Sequence, residues 1–130
     1  MRVLALDYGA VRTGVALSDA TGTIARPLGV VERAAAPTGL ERIGALVREH
    51  GVERVVVGMP LTLRGERGEQ AQETERFVAA LREALPVAVE TFDERFTTVL
   101  AAQLPSSTPE DARAAAHLLA GYLERAGQSE

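Results

Sequence analysis

The chain has 130 residues, 46% of them hydrophobic and 25% charged, with a net charge of −4. That length suits one compact domain with a real core, and the composition excludes a disordered or collagen-like chain. Cysteine is absent, which excludes a disulfide framework and a thiolate metal site and leaves only oxygen or imidazole donors for a metal.

Val3 to Leu6 is apolar without alternation and stops at Asp7-Tyr8-Gly9, as expected of a strand buried on both faces. The run is too short for a signal-peptide core or a membrane span, so a cytoplasmic protein with no membrane partner is expected. Val15-Ala16-Leu17 and Ile24 to Val31 flank Asp19-Ala20-Thr21-Gly22, which reads as a hairpin continuing the sheet. Leu40, Ile43 and Val47 recur at helical spacing between Pro37 and His50, with Gly51 at the stop.

Val55-Val56-Val57 predicts a fourth strand, and Phe77, Val78, Leu81 and Leu85 form one stripe on a helix over 66–85. Val87 to Phe92 predicts a fifth strand, followed by a short helix over 97–104 and a last one over 109–125. Three antiparallel-type strands and then alternating helix and strand imply an α/β fold, a mixed five-stranded sheet flanked by helices, over one domain, 1–130.

In such a sheet ligands gather at the carboxyl ends of parallel strands, and Asp7 ends the first strand while Asp93 and Glu94 end the fifth. On the last helix Asp111 lies one turn before the stripe Ala115, Leu118, Leu119 and Tyr122, so its carboxylate is expected to face the sheet. An unpaired buried carboxylate is costly, so a metal or a hydrogen-bonding partner is required. Thr108-Pro109-Glu110-Asp111 reads equally well as an N-cap, a first-turn proline and a capping-box acid. His50 ends a helix and His117 falls on a polar face, which makes both solvated residues. Three hard oxygen donors select Mg²⁺ or Mn²⁺, and two ions about 3.5–4 Å apart would suit phosphodiester hydrolysis.

Asp7-Tyr8-Gly9 with Arg12, Gly14 and Ser18-Asp19, Val57 to Leu61 with Gly65, Gly68 and Gln70, Asp93-Glu94-Arg95 with Thr97-Thr98, and Asp111 with Ala114-Ala115 and Leu118-Leu119 resemble the YqgF/RuvX family. The resemblance spans nearly the whole chain. It implies a ribonuclease-H-like fold related to the RuvC resolvases and a nuclease trimming the 5′ end of the small-subunit ribosomal RNA precursor, with resolution of branched DNA as the older assignment. It also implies that Asp7, Glu94 and Asp111 are the metal-binding carboxylates, with Asp93 as an alternative or supplement to Glu94. Strand alternation lets only one of that pair point into the site.

Family members often carry basic residues before Asp111, where this chain has Leu104 to Glu110, so phosphate contacts fall to Arg12, Arg64, Arg67 and Arg95. All 14 basic residues are arginine, which is a genomic bias before it is a sign of phosphate binding. The negative net charge lacks the global basic field of many duplex binders, so a nucleic-acid partner requires such local clusters. Two rivals come from other classes. A non-catalytic ribosome-assembly factor would have lost an acidic ligand. A nucleotide-binding module of the actin and sugar-kinase type, suggested by Asp7-x-Gly9, would need two domains, so no nucleotide cofactor is expected.

Overall fold

The computed structural model describes residues 1–60, 68–93 and 110–128. Strands β1 (Val3–Asp7), β2 (Arg12–Ser18) and β3 (Ala25–Glu32) are followed by α1 (Pro37–His50), β4 (Arg54–Met59), α2 (Glu69–Ala84), β5 (Ala88–Asp93) and α3 (Glu110–Gln128). The five strands form one sheet in the order β3-β2-β1-β4-β5. β1 and β2 are antiparallel, as are β2 and β3, whereas β1 runs parallel to β4 and β4 to β5. The expected mixed sheet is therefore present, with β1 at its centre. The expected short helix over 97–104 lies outside the described residues.

Local chemistry explains the element ends. Pro37 opens α1 with its φ already set, and Gly51 closes it in the left-handed region at φ 61°. The hairpin between β2 and β3 is organised by Asp19, whose Oδ1 accepts the backbone N–H groups of Thr23 and Ile24 at 2.8 and 2.9 Å. Thr21 donates its hydroxyl to the other oxygen. These donors, the Ile24 N–H foremost, hold the Asp19 carboxyl well below the usual carboxylate range.

Alternation along the strands divides the core in two. Leu4, Leu6, Val15, Val55, Val57 and Val89 face α1 and α2, where Ile43, Val47, Phe77 and Leu81 complete a layer of large side chains. Val3, Ala5, Ala16 and Val56 face the other way, against Ala115, Ala116, Leu118 and Leu119 of α3. Further along α3, Tyr122 accepts a hydrogen bond from Arg54 at 2.9 Å and donates to Glu90, which itself pairs with Arg54 at 3.1 Å. Phe92 meets the Tyr122 ring edge-on at 5.7 Å.

Candidate functional site

Asp7 ends β1 and is paired across the antiparallel ladder with Gly14 of β2. Directly opposed residues share a face, and Asp7 continues the series Val3, Ala5, so its carboxylate belongs to the α3 side of the sheet. Gly14 explains how the helix reaches this corner. A Cβ on Gly14 would overlap the backbone carbonyl of Asp111 and lie 3.2 Å from the Ala112 nitrogen. Only glycine lets the first turn of α3 sit directly on β2, and that contact sets Asp111 beside the strand pair that carries Asp7. Sequence reasoning passed over this role. The available signal was a glycine inside a strand, which marks a close backbone approach.

The Asp111 backbone lies against the sheet as expected, but its side chain is 42% exposed at the rim rather than buried beneath the helix. The reason is position: α3 begins at Glu110, so Asp111 stands in the first turn, before the buried stripe starts at Ala112. Its carboxylate meets the Arg12 guanidinium at 3.6 Å. Arg12 itself is 64% exposed at the first position of β2. A residue expected to contact phosphate is thus placed beside a residue expected to bind metal. The capping motif over 108–109 lies outside the described residues.

The turn joining Asp7 to Arg12 is held firmly. Thr13 is fully buried and its hydroxyl bridges the Gly9 N–H and carbonyl, at 3.4 Å each. A Cβ on Gly9 would overlap the Arg12 carbonyl, and Arg33 donates its N–H to Val11 at 2.9 Å, tying the turn to the segment after β3.

At the other strand end, Asp93 pairs in register with Met59 and alternates with Thr91 and Val89, so it belongs to the α1/α2 side, opposite Asp7. Phe92 packs on the α3 side. Glu94, Arg64, Arg67 and Arg95 lie outside the described residues. Of the predicted acids, Asp7 and Asp111 are therefore brought to one corner and one face, while Asp93 is turned away. Among the described residues no group of three acidic or histidine side chains could hold an ion. The donor chemistry of Asp7 and Asp111, carboxylate oxygens at a rim where solvent can reach, fits Mg²⁺ or Mn²⁺. His50 ends α1, and His117 lies nearly two turns after Asp111 on α3. No described helix is long and apolar enough to cross a membrane.

Comparison with solved structures supports the architecture. RuvC of T. thermophilus in complex with a Holliday junction substrate superposes with a TM-score of 0.69 at 17% identity, over 99% of this chain and 96% of that one. The Fowlpox virus resolvase bound to Holliday junction DNA gives 0.61 at 10% identity, over 97% and 99%. At these identities the likeness establishes the ribonuclease-H-like fold. Sequence relatives are far closer. A protein of Rubrobacter xylanophilus is 46% identical over 97% of this chain and 94% of its own length, and one of Moorella thermoacetica 37% identical over 99% of each. One of Chloroflexus aurantiacus is 51% identical over 78% of this chain and 67% of its own length. All three carry the provisional name pre-16S rRNA nuclease. The profile of the family described as RuvX, Holliday junction resolvase, matches residues 1–125, and the chain belongs to that family.

Proposed function

We propose that this chain is a metal-dependent nuclease that hydrolyses phosphodiester bonds of RNA in the 5′-end maturation of pre-16S ribosomal RNA, with residues 1–130 acting as one domain. The observation that carries the proposal is the meeting of the first strand and the last helix at Gly14, which sets Asp7 and Asp111 at one corner. The names of the relatives supply the substrate.

Asp7, Asp111 and Glu94 hold Mg²⁺ or Mn²⁺ in this reading. Asp93, on the face of Val89, is left out of the ligand set in favour of its neighbour. The bound metal would supply water activation and stabilisation of the leaving oxygen. The remaining work belongs to the chain. Arg12 balances the Asp111 carboxylate while no substrate is present and turns its guanidinium to a phosphate when the strand arrives. Arg64, Arg67 and Arg95 add further phosphate contacts. The buried Thr13 keeps Asp7 and Arg12 at a fixed separation across the turn.

The test is cleavage of labelled pre-16S RNA fragments with Mn²⁺ or Mg²⁺, beside a four-way DNA junction and an Asp7→Asn control. RNA cleavage that falls about a thousandfold in the control is expected, as for loss of a group acting in the transition state. Cleavage of the junction alone would move the assignment to branched DNA, which the family description favours. Undiminished RNA cleavage by the variant would overturn the site.

A further inference from the structure

On the opposite side of the sheet from Asp7, but at the same end, a groove of about 400 Å³ opens between the β1–β2 turn and α2. Tyr8 forms its floor. The ring follows Leu4 and Leu6 onto the α1/α2 side and stacks on the buried Phe77, with centroids 4.4 Å apart and planes 22° from parallel. Tyr8 remains half-buried, so part of its ring faces the groove. Ala10, Ala35 and Ala80 form the walls, small enough to admit a flat group.

Two charges complete the rim, Arg76 and Glu73. Both are exposed, and neither forms an ion pair with any described residue. One cation and one anion leave the groove balanced, which suits a neutral planar group better than a phosphate. The guanidinium can stack or donate at such a group's edge, and the carboxylate can accept from an exocyclic amine. Asp7 and Tyr8 are consecutive, and their side chains leave the strand on opposite sides. A strand whose backbone crosses the end of β1 on the Asp7 side can therefore drop one base into the Tyr8 side.

We propose that the groove beside Tyr8 binds one unpaired base of the RNA strand, stacked on the Tyr8 ring and held at its edge by Arg76, next to the phosphate presented to Asp7. The inference rests on the nuclease reading and adds a preference for single-stranded over paired RNA at the cut. Base–aromatic stacking contributes about 1–3 kcal/mol per base, and each 1.4 kcal/mol is tenfold in affinity.

The experiment uses the parental protein in EDTA, so that binding is read without turnover. Single-stranded RNA carrying 4-thiouridine at successive positions is irradiated, and crosslinked peptides are identified by mass spectrometry. Crosslinks from one or two positions to Tyr8 or to residues 73–80 are expected. Ala35→Trp, an exposed position that fills the groove, should weaken single-stranded RNA roughly tenfold and leave paired RNA unchanged. Arg76→Ala should weaken it a few-fold, and melting curves check that both variants are folded. Crosslinks elsewhere, or parental affinity in Ala35→Trp, would overturn the groove while cleavage lost in Asp7→Asn leaves the nuclease standing. Stronger crosslinking of a DNA strand with 4-thiothymidine would give the groove to single-stranded DNA and overturn the RNA assignment. Absence of both RNA binding and cleavage would remove the two readings together.

Discussion

The two faces of the sheet are built from different materials. Toward α1 and α2 the sheet presents leucine and valine, and the helices answer with Ile43, Leu46, Val47, Phe77 and Leu81. Toward α3 it presents Val3, Ala5, Ala16, Val56 and, at the site end, Gly14, answered by Ala112, Ala115, Ala116, Leu118 and Leu119. Large side chains bury area and hold helices at a distance, whereas small ones forgo area and let backbones approach. The first face carries more of the large buried side chains. On the second, the close approach delivers a carboxylate from α3 to the end of β1.

Substitutions can separate these roles. Ile43→Ala, in the large-residue face, should cost about 3 kcal/mol through a cavity, read as a lower denaturant midpoint. RNA cleavage per folded molecule at low temperature should stay at the parental level. Loss of cleavage without unfolding would merge the two faces into one functional unit.

Gly14→Ala should cost less stability, about 2 kcal/mol, because overpacking is relieved by a shift of α3. That shift carries Asp111 away from Asp7, so cleavage should fall far more than melting temperature does. A variant with parental activity would show that the close approach does not set the site.

Acid should strike the hairpin outside both faces. The Asp19 carboxyl titrates lower in the folded chain than the roughly 3.9 of an unfolded aspartate, so folding favours the ionised form. Its contribution is complete above about pH 4 and is lost as pH falls toward the folded-state value. Asp19→Asn should therefore flatten the loss of stability below pH 4 without changing behaviour at pH 7 beyond the missing turn contacts. An unchanged acid profile would take the turn out of the acid response.

The smallest effect belongs to Arg12→Ala. An exposed pair such as Arg12 with Asp111 contributes at most about 1 kcal/mol, so melting should barely move. RNA binding should weaken with a salt slope reduced by about one. A large loss of stability would make the pair structural instead.

Most of the sheet was legible because its central strands are unbroken apolar runs, Val3 to Leu6 and Val55 to Val57, that suit burial on both faces. Helical stripes with Phe77, Leu81 and Leu118 were legible from their spacing of three to four residues. Strand alternation implied that only one of Asp93 and Glu94 points into the site; Asp93 lies on the Val89 face, and Glu94 lies outside the described residues. Two things were hidden. A glycine inside a strand does not say which backbone approaches it, so the seating of α3 on Gly14 had no partner written in the sequence. The pairing of Arg12 with Asp111 joins opposite ends of the chain, and charge alone does not name a distant partner.

Sheet order carries a consequence for synthesis. β1, β2 and β3 are neighbours in sequence and in space and can zip together early through local hairpin contacts. Their second face then waits for α3, the last described element to leave the ribosome. At about 5–20 residues per second that interval is on the order of 5–20 s, during which Asp7 is present without Asp111. Under the proposed nuclease reading, the two acids would share one corner only once α3 has docked.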